Sequence, residues 1–413
     1  MKNTRRLLAL LLVLTLIFSL FSVAHGEQKK PLVFMHMFMQ EPIQALFAEN
    51  EKTFEEMFPE YDLEVRYVPF DEINKQLSIG AASGDVPDIT FLNNPDFAAY
   101  VEMGCFIDIT DMVNAWDEFP QFYPSPLEAG TIDGKVYGLP FDTNCTALFY
   151  NKDMLEAKGV AVPTTMDELK DAAAKLTDPA AGAYGLILCG MNGEETTFQF
   201  MNFLTAYGGK FDDMSSDAAK EAAQLYVDLV QAGSMSEEIV NMGQNDIFDR
   251  FAAKQAAMCV NGTWQVNLLR NGTSYPDLDF NWDVALMPAG SQGSYSCMGG
   301  KIIGIGDTGD ADRQNMAWEF IKIVCAKDNM MKFVTNVGAV PNRTDIAADP
   351  YWETDPQMKV FVDQMETAVP RGPHPRWPEI SLAIYTAMGE AITGAKTVDQ
   401  AFNDAQVAID AVK

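Results

Sequence analysis

The chain has 413 residues with 29 Lys and Arg against 58 Asp and Glu, a formal net charge of −29. Nucleic acids and anionic lipid surfaces bind through clustered Lys and Arg, so a chain this acidic is excluded as a partner for either. With 48% hydrophobic and 21% charged residues it is a folded globular protein, and at roughly 150 residues per domain its length implies two or three domains.

Lys2, Arg5 and Arg6 precede an apolar run from Leu7 to Phe18 that continues through small hydroxyls to Ala24. This is the pattern of a secretory signal, with cleavage expected after Gly26 or, in close competition, after Ala24. An uncleaved anchor helix is the alternative, although the run is at the lower edge of a bilayer span. No Cys stands at the cleavage point, so the product is expected to be exported, periplasmic or extracellular, and not lipid-anchored. Loss of residues 1–26 removes three positive charges and no acids, which takes the net charge from −29 to −32.

Past that segment, 31–38 and 62–70 read as strands, and the apolar spacing of 43–58 predicts a helix between them. Residues 73–82 continue as helix, "SGDVPDITFL" (83–92) as a turn and strand, and 95–103 as a short helix. "GKVYGLPFD" and "CTALFYN" are back-to-back strands. A helix over 166–176 is announced by Thr164 and Thr165 with Glu168 behind them, a capping-box arrangement. Helices are predicted at 198–207, 217–232 and 247–254, then strand "AAMCVNG", helix 263–270, strands "WDVALMPAG" and "SCMGGKIIGIG", and helix 313–326. The remainder is helical, punctuated by the Pro-rich stretch 369–380. Alternating strands and helices predict an α/β protein with a mainly parallel sheet.

Six scattered Cys permit disulfides in an exported chain, but most sit in apolar segments where a free Cys acts as a small hydrophobe. His36 and His374, the two His beyond the export segment, lie in no metal-binding pattern, and the acids of 212–217 and 307–312 lack the rest of a calcium loop, so neither metal nor cofactor is expected. "GIGDTG" (304–309) has the form of a phosphate-binding loop, but Asp307, Asp310 and Asp312 would crowd it with negative charge. No nucleophile elbow occurs, and no catalytic residues are assigned.

Five segments in order resemble one family: "SGDVPDITFL" (83–92), residues 134–177 with their YNKD motif, "RFAAKQAAMCVNGTW" (250–264), "NMAWEFIKIV" (315–324) and "GAKTVDQAFNDAQ" (394–406). The chain resembles the extracellular solute-binding proteins of ABC importers, in the branch containing maltose-binding and other sugar-binding proteins. That resemblance implies a two-lobed periplasmic-binding-protein (type II) α/β fold, closing on a solute and presenting it to permease subunits in the membrane. It implies lobes made of 27–142 plus 288–326 and of 143–287 plus 327–413, with crossings at Phe141–Asn144, near Met287–Ser291, and inside or after the helix Met316–Cys325.

Position by position, the resemblance carries a ligand site onto Met39 and Gln40 after the first strand, Asn93 and Asn94 after "PDITF", Asn144 at the first crossing, Phe198, Trp264, Gly299, Arg376 and Trp377. Where the maltose type has charged contacts, this chain has Met39, Gln40 and Asn144, which puts maltose itself in doubt. Aromatic rings with Asn and Gln suit a neutral sugar, whose hydroxyls need donors and acceptors together and whose C–H face lies on a ring. Core packing of each aromatic and turn roles for the asparagines are the competing readings. A polyamine or phosphorylated polyol as solute, or a secreted carbohydrate-active enzyme, are the functional alternatives. The protein is expected to act as a monomer.

Overall fold

The computed structural model describes residues 29–272 and 274–412; the expected export segment lies outside the described residues. Among the described residues, twelve strands occur in chain order: β1 (Lys30–His36), β2 (Tyr61–Tyr67), β3 (Ile89–Asn93), the small hairpin β4 (Thr131–Ile132) and β5 (Lys135–Val136), β6 (Gly138–Asn144), β7 (Thr146–Asn151), β8 (Tyr184–Ile187), β9 (Ala256–Gly262), β10 (Trp282–Ala285), β11 (Ser296–Ile305) and β12 (Ala368–Pro370). They build two main sheets. The first has the order β12-β11-β3-β1-β2 with β6 also on β11, and the second is β10-β7-β9-β8.

The expectation of a mainly parallel sheet needs correction. β1 pairs in parallel with β2 and β3, as helical crossovers require, but β11 runs antiparallel to both β3 and β6. In the second sheet only β8 and β9 are parallel. The reason is that β6 and β7 follow one another directly and pass from one sheet to the other, as do β10 and β11, so these strands have no helical return.

The helices follow the predicted spans closely. Helix Met166–Leu176 begins as its sequence announces: Thr165 Oγ1 accepts from Glu168 N at 3.2 Å, and Glu168 Oε2 accepts from Thr164 N at 2.8 Å. The 304–309 glycine loop holds no anion seat, because Asp310 itself caps helix Ala311–Cys325 by accepting from the backbone N–H groups of Asp312 and Arg313. All six cysteines are buried and unpaired, and burial pushes the thiols of Cys189 and Cys297 up to about 12.

The core around the first sheet is aromatic. Phe34 meets Phe47 edge-on at 5.2 Å, Phe91 meets Phe141 at 4.7 Å, and Phe141 meets Phe333 at 4.4 Å. Phe333 lies on helix Lys327–Val337, which packs against helices Glu41–Met57 and Ala311–Cys325. The chain therefore stays beside the first sheet past Ala326, the expected point of handover, because Phe333 is held by Phe38 and Phe141. Packing on the second sheet begins with helix Pro356–Gln364, which lies against β7 and β10.

Buried polar groups tie the elements in place. Asp88, in the turn before β3, is 1% exposed; it accepts both the Nε and an Nη of Arg313, at 2.7 and 2.8 Å, and the backbone N–H of Val33 at 2.8 Å. One carboxylate thus joins β1, β3 and helix Ala311–Cys325. At the crossings, Asn202 Oδ1 accepts from Cys297 N at 2.6 Å and Thr146 Oγ1 at 3.0 Å, while Ser296 Oγ accepts from Thr146 N at 2.9 Å. Two of the chain's passages between sheets are thereby fastened to one helix, Glu194–Ala206.

His36 closes β1 in an apolar setting, 2% exposed beside the rings of Phe34, Phe47 and Tyr67, and its Nδ1 has no partner. Burial lowers its pKa from 6.5 to about 4. Because the folded value lies below the unfolded one, the stability this residue contributes is complete above pH 6.5 and is lost as pH falls from 6.5 to 4, roughly 3 kcal/mol in all. Urea unfolding of native protein and His36→Phe at pH 7 and pH 4.5 is expected to show the native chain losing more stability than the variant by about that amount.

Candidate functional site

The carboxyl ends of β1, β2 and β3 all point toward the second sheet, the place where open α/β sheets characteristically present their loops to ligands. A cavity of about 420 Å³ lies there between the two sheets. Met39, Tyr67, Phe70 and Asn93 form the wall on the side of the first sheet. Glu194, Glu195 and Phe198 of helix Glu194–Ala206, with Gln244, Asn245 and Trp264, form the opposite wall. Asn144 at the end of β6, Gly299 to Lys301 of β11, and Arg371 just after β12 make the floor.

The floor depends on glycine. A Cβ at Gly299 would stand 2.4 Å from Asn144 Oδ1 and 3.1 Å from the ring of Phe198, filling the space between them. Gly300 has φ +143°, and a Cβ there would lie 2.0 Å from the carbonyl oxygen of Asp142. β11 alternates its faces, so Met298 points the other way, into a separate cavity of about 340 Å³ whose apolar walls include Val340, Pro341 and Val362. Of these two, the cavity over Gly299 is lined by amides and by charges of both signs.

The Asn-Gly-x-Trp element has a local logic. Asn261 is fully buried; its Nδ2 donates to the carbonyl of Gln244 at 2.8 Å and its Oδ1 accepts from Gly262 N at 2.9 Å. This ties the end of β9 to the start of helix Gln244–Ala252. Gly262 lacks a side chain because the Trp264 ring folds over it, within 1.9 Å of where a Cβ would be. Trp264 then lies stacked on Phe198, with centroids 6.4 Å apart and planes 30° from parallel.

Charges in the cavity come in pairs. Lys301 Nζ donates to Asp142 Oδ2 at 2.6 Å across the β6/β11 register. Arg371 pairs with Glu194, places its guanidinium 4.3 Å over the ring of Phe198, and reaches Asn94 Oδ1 at 3.5 Å. Glu194 also accepts from the indole Nε1 of Trp377 at 3.1 Å and from the hydroxyl of Ser381. Burial holds the Glu194 carboxyl above its ordinary range, with Arg371 pulling the other way; burial does the same to nearby Asp96. Their ionised forms therefore cost stability at neutral pH, a cost relieved as pH falls.

Six of the ten residues expected from the sequence come together in this cavity: Met39, Asn93, Asn144, Phe198, Trp264 and Gly299. Four do not line it. Gln40 caps the start of helix Glu41–Met57, its carbonyl accepting from Ile43 N and Gln44 N. Asn94 is buried beneath, its N–H donating to Gly300 O and its Oδ1 facing Arg371. Trp377 is 0% exposed, packed against Phe211 at 5.5 Å, and serves Glu194 as a donor. Arg376 is half-exposed and 4.0 Å from Glu379. The correction here is to Arg371: β12 pairs with Ser296–Met298 and delivers residue 371 to the cavity floor, while residue 376 has already passed outward. Phe198 also changes role, since it is 5% exposed with Arg371 across one face, leaving Trp264 as the accessible ring of the pair.

Sequence reasoning missed Tyr67, Phe70, Glu194, Glu195, Gln244, Asn245, Lys301 and Arg371. Some signal existed. Tyr67 and Phe70 end the strand-like "DLEVRYVPF", and Arg371 lies in the same Pro-rich stretch as Arg376. Met39, Tyr67 and Phe70 are 71%, 41% and 44% exposed, so three apolar side chains border open space opposite Trp264. With the uncharged amides of Asn93, Asn144 and Gln244, the arrangement suits a molecule having both an apolar face and hydroxyls.

The profile of the family described as bacterial extracellular solute-binding protein matches residues 51–360. A Brucella abortus chain described only as a binding protein is 26% identical over 379 residues, covering 89% of both chains. The maltotriose-binding protein of Pyrococcus abyssi is 22% identical over 82% of this chain and 73% of its own. Among solved structures, an ABC transporter solute-binding protein of Thermotoga lettingae bound with α-D-tagatose superposes with a TM-score of 0.83 at 28% identity, over 93% of this chain and all of that one.

Gly300→Ala forces a side chain into both a positive φ and a backbone contact, and is expected to destabilise by about 1–3 kcal/mol, measured as a shifted urea midpoint with unchanged slope.

Proposed function

The chain belongs to the bacterial extracellular solute-binding proteins, and from that premise we propose that it is the carbohydrate-binding component of an ABC importer. The observation that carries this reading is the cavity itself, where the accessible Trp264 ring faces Tyr67 and Phe70 across a floor of Asn144 and the Gly299–Gly300 pair. Aromatic faces bury the C–H surface of a sugar ring, and amides both donate to and accept from its hydroxyls. The tagatose-bound and maltotriose-binding relatives support the same class of solute.

The protein is exported through cleavage of its first 24 or 26 residues and released without a lipid anchor. It acts as a monomer that binds and does not convert its ligand, and hands it to membrane permease subunits; nucleotide hydrolysis belongs to a separate subunit. The two sheets with their helices form lobes joined by the passages β6 to β7, β10 to β11, and the segment between helices Lys327–Val337 and Pro356–Gln364. Ligand bridging the lobes shifts an open–closed equilibrium, which requires higher affinity for the closed state.

Small-angle scattering across a panel of neutral oligosaccharides is expected to show a smaller radius of gyration with a bound sugar, and an unchanged radius at saturation would count against closure. Trp264→Ala is expected to weaken binding by roughly 1–3 kcal/mol in calorimetry, because it removes the accessible stacking face. An unaltered affinity would assign Trp264 to packing alone.

A further inference from the structure

A side chamber of about 290 Å³ adjoins the main cavity, shares Phe70, Asn93 and Glu194 with it, and adds Asp96 and Tyr385 to its walls. The main cavity mixes both signs, with Lys301 paired to Asp142, Arg371 paired to Glu194, and Glu195 accepting from Gln244 N at 2.7 Å. The charged residues lining the side chamber, Asp96 and Glu194, are both acids. Asp96 is 9% exposed, and its side-chain donors are neutral amides, Asn74 Nδ2 at 3.1 Å from its Oδ2 and the side chain of Asn93. Arg371 acts on Asp96 through space, but its direct contacts are Glu194, Asn94 and the Phe198 ring. Two carboxylates therefore share one guanidinium at a site mostly screened from water, and burial raises both carboxyls. Beside them stands the half-open ring of Phe70, with Tyr385 across the chamber.

A separate observation in the adjoining main cavity points to a ligand. Gln244 is 7% exposed and lines that cavity, yet its Nε2 donates to no acceptor. A donor so placed is costly unless an acceptor such as a hydroxyl oxygen arrives.

Resting on the carbohydrate reading above, we propose that the side chamber receives a protonated amine, so that the preferred solute is an amino-substituted saccharide lying across both chambers. Its hydroxyl-bearing ring lies by Trp264 and offers an acceptor to Gln244. Its ammonium meets the Asp96 carboxylate and the face of Phe70, a pairing of charge and aromatic ring that an uncharged hydroxyl does not reproduce. The overall negative charge of the protein favours the approach of such a cation.

The test is a thermal-shift screen followed by calorimetry at pH 7. Its panel holds maltotriose, cellotriose and laminaritriose, the same trisaccharides with one hydroxyl replaced by an amine, and spermidine. The tightest ligand is expected to be an amino-trisaccharide, at least tenfold tighter than its hydroxyl counterpart. Asp96→Asn is expected to erase that difference, and Phe70→Leu to reduce it, which keeps the proposal open to test should Asp96→Asn unfold. Equal affinity for amine and hydroxyl counterparts overturns the inference and leaves the carbohydrate reading standing. Binding of spermidine with no saccharide bound overturns the carbohydrate reading and the amino-saccharide with it, as does failure of the whole panel to bind.

Discussion

The antiparallel contact of β11 with β6 is the constraint on which the rest of the molecule depends. β11 pairs with β3 and β6 in the first sheet and with β12 at its start, while its beginning is bound through Ser296 and Cys297 to Thr146 and Asn202 of the second sheet's side. Strand pairing at this distance leaves no space for a Cβ at Gly300, and the side chains of Asn144 and Phe198 occupy that space at Gly299. The same absence of side chains opens the cavity floor. One local requirement of backbone geometry therefore joins the two sheets and makes space for a ligand between them.

Helix Glu194–Ala206 extends that connection. Glu194, Phe198 and Asn202 recur every four residues and so share one face. The first meets Arg371, the second supports Trp264, and the third holds the strands that cross between sheets. A displacement of the cavity wall is thus mechanically tied to the crossings by a rigid element. Burial in the same region is the opposing term: it raises the carboxyls of Glu194 and Asp96, so ionising either one carries a desolvation cost that a packed apolar core would not.

Much of the fold was legible because local signals and tertiary packing agree. The 166–176 helix begins at the predicted caps, and the β1-helix-β2 unit follows from periodicity alone. Strand direction was not legible: nothing in the residues of β11 specifies that both neighbours run against it. The site was partly legible where a motif has its own local geometry. Asn261, Gly262 and Trp264 set the indole largely through their own short-range geometry, the ring folding over Gly262, whereas Arg371 and Arg376 differ only in how far the chain has travelled beyond its pairing with β11.

Composition and pattern determined the net charge of the chain, its α/β character and the apolar run in its first residues, because these depend on residue identity and spacing over short range. Which arginine reaches the cavity, which aromatic keeps an accessible face, that Trp377 supports a carboxylate, and that Asp96 and Glu194 stand together were decided by the tertiary structure alone. Those relations join segments up to nearly 280 residues apart, as the Asn94 to Arg371 contact does, and they arise only once both sheets and their helices are assembled around the cavity.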